Sequence, residues 1–264
     1  MNSQVIYESG DHKCIFIGRD PKKKEQIIDT NEYIIQSGDN AMLLDPGGID
    51  IFPVVLAETT KYITLENIKV IFASHQDPDV SSSLAMWLDL VKEVKIYTPW
   101  IWKGFLSHFG MGTEFTLQGL PDEGAEINIG TNGSNVYAVP AHYAHSSGNF
   151  SLFDPKSKIL FSGDIGAALI PSDYPIFVED FASHIKYMEK FHQRWMPSAN
   201  AIRAWVRRAR AINPSVIAPQ HGAIFTGRNV NMFLDWLDNL EVGKWEMGAE
   251  SSDIYKTVWM RWKK

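Results

Sequence analysis

Short apolar runs that end in polar or turn-forming residues recur along the chain. In the first half, residues 14–18, 33–36 and 41–44 are rich in β-type residues, and each run predicts a strand. Residues 69–73 are continuously apolar, which is typical of a strand covered on both faces. Apolar residues recur at helical spacing from 81–83 onward. The first half is therefore predicted to consist mainly of strands, with a helix near its middle.

The second half alternates strand-like and helix-like segments. Residues 154–158 lie between two strand-like runs and predict a hairpin connection. Strands followed by helix–strand alternation predict an α/β fold with a sheet core and helices outside it. The predicted strands are 136–139, 150–153, 159–162 and 216–218, and the predicted helices lie around 184–194, 199–212 and 227–240.

The composition is that of an ordinary globular protein, since 45% of the 264 residues are hydrophobic and 21% are charged. No Ser/Gly-rich linker divides the chain, so we predict a single domain over residues 1–264. The stretch 245–264 is too short for a domain of its own. We expect it to pack on the core through Val258, Trp259 and Trp262.

Charge and cysteine content narrow the function classes. A net charge of −6 argues against a general nucleic-acid binder. No window approaches the roughly 18 apolar residues of a membrane span, so no membrane partner is expected. Cys14 is the one cysteine and cannot form an internal disulfide, and no apolar leader follows Met1. A reducing, cytoplasmic setting is therefore expected.

The candidate chemistry lies where apolar runs end in histidine or aspartate. Residues at strand ends gather at one rim of a sheet, and alternate positions on an extended chain, as at 75, 77 and 79, can point the same way. Three carboxylates and three imidazoles left bare in one pocket would be costly, and divalent metal ions relieve that cost. The pattern predicts a binuclear metal site formed by His75, Asp77, Asp79, His145, Asp164 and His221.

Each of these residues taken alone is more often a cap or a turn residue, and the prediction depends on their occurring together. His142 stays open between two roles. It either orients His145 as a hydrogen-bond partner or lines the pocket.

The motifs resemble the metallo-β-lactamase fold, an αββα sandwich with a binuclear metal site at one sheet edge. They resemble more closely the di-iron domain of flavodi-iron proteins and the shorter oxygen-binding di-iron proteins. The resemblance extends from about residue 5 to 240, and its most specific parts are the Leu-Phe-Ser-Gly-Asp block and the final His-Gly. The stretches that carry it are 31–35, 44–47, 75–79, 145–150, 153–155, 159–167 and 219–222.

The resemblance implies a non-haem centre of two iron ions. Two imidazoles and a carboxylate suit one non-haem iron, and Asp164 would bridge to the other. The implied ligands are His75, Asp77 and His145 for the first iron, and Asp79 and His221 for the second.

The chain departs from the flavodi-iron pattern at two positions. Asp77 stands where that family usually has glutamate, and Val80 stands where it has a further histidine ligand. The second metal would therefore have a position open to a small molecule. No glycine-rich phosphate loop follows a strand, so no FMN and no flavodoxin domain are expected. An external donor, rubredoxin-like or flavodoxin-like, would have to supply electrons.

The resemblance implies a protein that binds O2 as a diferric peroxide, for oxygen sensing, storage or slow reduction. It also implies a link to chemotaxis signalling and, because relatives often dimerise, a homodimer. One alternative is a binuclear zinc hydrolase, in which a metal-bound hydroxide attacks the substrate. The valine at position 80 counts against the usual hydrolase motif. A second alternative is a non-enzymatic signalling module with a structural metal.

Overall fold

Two β-sheets form the centre of the protein in the computed structural model, which describes residues 2–18, 28–110, 117–130 and 134–243. The first sheet contains, in spatial order, β1 (Asn2–Ser9), β2 (His12–Gly18), β3 (Asn31–Ser37), β4 (Asn40–Leu44), β5 (Ile68–Phe72), β6 (Lys95–Pro99) and β7 (Leu117–Leu120). The second sheet contains, in spatial order, β13 (Phe225–Thr226), β12 (Val216–Pro219), β11 (Ile159–Gly163), β10 (Phe150–Asp154), β9 (Asn135–Pro140) and β8 (Ala125–Asn128).

Strand direction changes within each sheet. In the first sheet, β1 to β4 pair antiparallel, and β4 to β7 pair parallel. In the second sheet, β11 and β12 are the parallel pair among antiparallel neighbours. Parallel neighbours need crossover connections, and helices supply several of them.

Helices cover the outer face of each sheet. The helices are α1 (Phe52–Thr59), α2 (Pro78–Ser81), α3 (Leu84–Leu90), α4 (Trp100–Leu106), α5 (Phe181–Trp195), α6 (Ala199–Ile212) and α7 (Arg228–Asn239). The long helices α5, α6 and α7 share a hydrophobic cluster with the second sheet, and α1 and α3 share one with the first. This layering confirms the αββα sandwich expected from the sequence.

The strand β2 explains why the apolar runs are continuous. Cys14 and Phe16 point into the core between the two sheets, whereas Ile15 and Ile17 point into the cluster under the helices. All four side chains are buried. Because both faces of the strand are covered, no polar residue interrupts the run.

The segment after β5 differs from its prediction. The chain forms the single helical turn α2 before α3 begins at Leu84, so the helix is divided in two. Asp77 precedes α2 in extended conformation, but Asp79 lies within it. The expectation that residues 75, 77 and 79 share one face of an extended chain is therefore wrong for Asp79. Pro78 at the first helical position favours this early start, since its fixed φ suits a helix and it needs no hydrogen-bond acceptor.

Several elements escaped the sequence analysis, among them β1, β6, β7 and β8, which are short or carry many polar residues. None of the helices in the described segments is long and apolar enough to cross a membrane. The predicted packing of 245–264, with Val258, Trp259 and Trp262, lies outside the described residues.

Candidate metal centre

Loops that follow strands of both sheets converge at one end of the sandwich. His75 follows β5, Asp164 directly follows β11, and His221 follows β12, while His145 lies in the loop between β9 and β10. Backbone hydrogen bonds connect these loops. The N–H of Phe150 donates to Ser74 O (3.1 Å), and that of Gln220 donates to Gly163 O (2.8 Å). Backbone hydrogen bonds alone therefore hold these loops against one another.

The first group of side chains contains His75, Asp77, His145 and Asp164. One ligand atom from each lies within 4.8 Å of all the others. His145 Nε2 is 2.9 Å from Asp77 Oδ2 and 3.4 Å from Asp164 Oδ2, and His75 Nε2 is 3.6 Å from Asp77 Oδ2. Two imidazole nitrogens and two carboxylates thus face one small volume.

The second group is formed around His221. Its Nε2 atom lies 3.2 Å from Asp79 Oδ2 and 3.4 Å from Asp164 Oδ1. The Asp164 carboxylate therefore lies between the groups. Its Oδ2 atom is near His145, whereas Oδ1 is near His221 and, at 3.8 Å, also near His75 Nε2 of the first group. The Oδ1 atom is buried and accepts no hydrogen bond from the described part of the chain. An oxygen in that position fits a carboxylate that binds two cations, one on each oxygen.

The electrostatics of the centre favour cations. Burial disfavours the charged form of His75, yet Asp164 and Asp77 outweigh it and raise the pKa of His75 to about 9. The pKa of His221 is raised well above its usual range, because Asp164 and Asp79 outweigh burial in the same way. Burial raises the pKa of Asp77 and Asp164, but the surrounding imidazoles hold both well below the usual range. A divalent ion that binds here would displace protons from the imidazoles.

Hydrogen bonds outside the centre orient the imidazoles. His221 Nδ1 lies 2.7 Å from Asp29 O, and a carbonyl only accepts, so Nδ1 carries the proton. A metal that displaces the Nε2 proton would therefore meet a lone pair already aimed at the centre, while the proton on Nδ1 keeps the ring oriented. His75 Nδ1 contacts Ser74 Oγ at 2.9 Å. Gln76 Nε2 donates to Asp77 Oδ1 at 2.8 Å.

Asp45 lies beside the centre, although nothing in the sequence predicted a role for it there. This buried carboxylate accepts a hydrogen bond from the N–H of Ser74 (2.7 Å), next to His75. Burial raises the pKa of Asp45 to about 6, although the nearby His75 acts in the opposite direction. Because Asp45 precedes Pro46-Gly47, the sequence there is typical of a turn, and no local signal indicated its contact with Ser74.

Two aromatic side chains of α5 were also missed. The Phe191 ring stacks on His145 with centroids 6.2 Å apart, and Trp195 lies 5.7 Å from the same ring. Trp195 is 56% exposed, so the indole lies between His145 and solvent. Their spacing on an amphipathic helix is equally typical of core packing.

The structure separates His142 from His145. His142 Nε2 lies 2.8 Å from Asp122 O, and its ring meets Phe150 edge-on. Neither Nδ1 atom of the two histidines has a hydrogen-bond partner within the described segments. No hydrogen bond therefore joins His142 to His145 in the described residues. The chain turns sharply between them, since Tyr143 and His145 both have positive φ, and the two side chains diverge.

Val80 is fully buried. It belongs to the hydrophobic cluster under the first sheet, together with Leu84 and Trp87. A valine has no ligand atom, so the second group keeps Asp79, Asp164 and His221 as its donors. This donor set of imidazoles and carboxylates suits non-haem iron and also zinc.

Comparison with known proteins agrees with this geometry. A family model described as "ODP family beta lactamase" matches residues 28–222. The structure of the peroxy diiron species of the chemotaxis sensor ODP is 41% identical, with a TM-score of 0.82, over 92% of this chain and 97% of that chain. The apo state of the chemotaxis sensor ODP from T. denticola is 42% identical, with a TM-score of 0.80, over 92% and 96%.

Flavodiiron proteins share the fold at lower identity. The flavodiiron protein from Giardia intestinalis is 17% identical, with a TM-score of 0.76, over 86% of this chain and 57% of that chain. No curated protein sequence matches the chain. The matches confirm the expected fold and the resemblance to metallo-β-lactamase-fold di-iron proteins.

Proposed function

Because this chain belongs to the ODP family of beta lactamases, we propose that it is a non-haem di-iron protein that binds O2. Its role would be oxygen sensing, storage or slow reduction, in connection with chemotaxis signalling. The observation that carries the proposal is the position of the Asp164 carboxylate, whose oxygens lie 3.4 Å from His145 Nε2, 3.4 Å from His221 Nε2 and 3.8 Å from His75 Nε2, so that it contacts both histidine–aspartate groups. The 41% sequence identity to the chemotaxis sensor ODP, whose structure is described as that of a peroxy diiron species, supports the proposal.

We propose that the two groups divide the ligands between two iron ions. Asp164 would bind both ions, since its carboxylate lies near histidines of both groups. The remaining ligands would be His75, Asp77 and His145 for the first iron, and Asp79 and His221 for the second. The pair of ferrous ions would supply the two electrons that O2 binding requires.

Residues around the two ions would control how much water reaches them and whether a proton donor lies nearby. Trp195 and Phe191 cover His145 and would limit contact between the first ion and bulk water. The second ion would have Asp79 and His221 as ligands besides the shared carboxylate, which would leave a position open to a small molecule. The buried Val80 next to Asp79 offers neither a ligand nor a proton.

Electrons would come from a separate protein. We propose a rubredoxin-like or flavodoxin-like donor, because the sequence has no glycine-rich phosphate loop for FMN. Pairing of the chain into a homodimer also stays a proposal, based on the resemblance alone.

Anaerobic reconstitution with ferrous iron, followed by O2 titration and optical spectroscopy, tests the function. We expect about two iron ions per chain and a visible charge-transfer band that forms at about one O2 per pair of ions. A preparation that binds zinc in preference, hydrolyses an ester and shows no O2-dependent band would contradict the proposal and support a zinc hydrolase.

A further inference from the structure

A second cluster of ligand-type side chains lies at the opposite end of the sandwich. His12, at the start of β2, pairs with Ser37 of β3. At the other end of the same two strands, the N–H of Asn31 donates to the carbonyl of Gln220, next to His221. Asp154 ends β10 and pairs with the first residue of β11, whose last residue precedes Asp164. The full length of these strands therefore separates the two clusters.

The cluster joins the two sheets through His12, Cys14 and Asp154. His12 and Cys14 are alternate residues of β2 and share its inner face, opposite Asp154 of the second sheet. His12 Nε2 lies 2.8 Å from Asp154 Oδ2, and Cys14 Sγ lies 3.6 Å from the same oxygen. All three residues are at most 1% exposed.

We propose that His12, Cys14 and Asp154 form a mononuclear site for a divalent transition metal of the zinc class. Imidazole nitrogen, thiolate sulfur and carboxylate oxygen are the three donor types that protein zinc sites use. A tetrahedral zinc ion places neighbouring donor atoms roughly 3.3–3.6 Å apart, from its bond lengths to these atoms. The three donor atoms here lie within 4.8 Å of one another, so small side-chain shifts would suffice.

A fourth ligand can reach the cluster from solvent. A cavity of about 390 Å³ lies beside it and is lined by His12, Asp154, Lys156, Asn135 and Tyr137, among others. Water in this cavity would complete a tetrahedral set. An ion would enter from the same cavity past His12 and Asp154, since Cys14 does not line it.

Donors around Asp154 fix its carboxylate. The N–H of Ser157 donates to Oδ2 (3.2 Å), that of Lys156 donates to Oδ1 (3.1 Å), and the Ser157 hydroxyl also donates to Oδ2. Burial opposes ionisation, but His12 and Ser157 outweigh it, and the pKa of Asp154 is lowered. These contacts hold the hairpin turn, and they also keep the carboxylate anionic and oriented, as outer partners do at metal sites.

Metal binding at this cluster would exchange a proton for the ion. Burial and the nearby Asp154 charge raise the pKa of the Cys14 thiol well above its usual range, so the thiol is protonated without metal. Formation of the sulfur–metal bond breaks the S–H bond and releases one proton to water. In the metal-free protein His12 Nε2 donates its proton to Asp154 Oδ2, so metal binding through Nε2 would require this proton to move to Nδ1, which is buried and without a partner in the described residues. Moved in this way, the proton stays on His12, and the proton released to water comes from the Cys14 thiol.

Cobalt(II) titration of the full chain tests this site separately from the di-iron proposal. Cys14 is the one cysteine of the sequence, and the centre around Asp164 contains no sulfur ligand. A thiolate-to-cobalt charge-transfer band in the near ultraviolet would therefore report on Cys14 alone. We expect this band in the parent protein, its loss in Cys14→Ser, and its retention in the control His221→Ala, which lacks a ligand of the other centre.

Two results would overturn the inference. One is cobalt binding that saturates the imidazole–carboxylate centre with no thiolate band. The other is a band that persists in Cys14→Ser. If Cys14→Ser does not fold, His12→Gln serves instead, because its amide can still donate to Asp154. The band should then be lost at the cobalt concentration that saturates the parent, and an unchanged band would remove His12 from the site.

Discussion

Replacing Asn31 by alanine should loosen the loop that carries His221 without touching any proposed ligand. The Asn31 side-chain amide donates to Pro219 O (3.0 Å) and to Gly222 O (2.9 Å), which lie on either side of that histidine. Tyr33 OH also donates to Pro219 O, at 2.8 Å. In Asn31→Ala, Pro219 O therefore keeps one donor, whereas Gly222 O loses the Asn31 donor.

The magnitude follows from these contacts. A buried hydrogen bond contributes about 1 kcal/mol to the free energy of unfolding, and an orphaned buried carbonyl costs about 1–3 kcal/mol. Part of the loss is offset, because Asn31 Oδ1 is itself buried without a partner in the described residues. We expect the free energy of unfolding to fall by about 1–3 kcal/mol. Metal affinity at the His221 group should fall roughly 10–100-fold, as when outer partners of a ligand are removed.

Urea unfolding of the metal-free protein and competitive metal titration measure the two effects. Tyr33→Phe is the matched control, because it removes a donor to the same Pro219 O but leaves both bonds of Asn31. We expect this control to lose about 1 kcal/mol and to keep its affinity for the second metal. The reasoning fails if the two variants behave alike, or if the first metal, at the His75 group, is weakened as much as the second.

Further predictions concern the centre itself. Asp164→Ala should lose one metal outright and weaken the other, measured by metal analysis; two metals held with unchanged affinity would refute a bridging role. His145→Ala should lose metal and His142→Ala should keep it, and the reverse loading would exchange their roles. Val80→His should shorten the lifetime of the O2-dependent visible band by adding an imidazole beside the second ion. Stopped-flow absorbance of the two proteins at matched iron loading measures this lifetime, and an identical lifetime would make Val80 only a core residue. The pKa of His75 rises from 6.5 to about 9 on folding, so its ion pairs should stabilise the metal-free protein fully below pH 6.5. This contribution should disappear as the pH rises through about 9, and flat urea midpoints over that range would contradict it.

Strands and their ends could be predicted because their signals are local. The run in β2 is apolar at every position since both of its faces are covered, and the end of β11 is marked by Gly163 and Asp164. The six candidate ligands were found by the same rule, as polar residues that follow buried runs. The structure brings all six to one end of the sandwich.

Local spacing did not give the pairing of those residues, which the sequence implied only through its resemblance to di-iron proteins. Asp77 and Asp79 are two residues apart, yet Asp77 contacts His145 and Asp79 contacts His221, because α2 begins between them. His142 precedes His145 by three positions but turns away to Asp122, since the loop between them passes through left-handed backbone. Local spacing does not determine which way such a loop turns.

The sequence by itself determined the layered fold, the strand ends and the residue types of the centre, because periodicity and turn chemistry act over a few neighbouring residues. The resemblance already implied that Asp164 lies between two metal ions, but only the tertiary structure covered His145 with Phe191 and Trp195 and joined Cys14 to Asp154 across the sandwich. These contacts join residues far apart in the chain. They depend on how two sheets stack and which strands pair, and that arrangement follows from burial summed over the whole core.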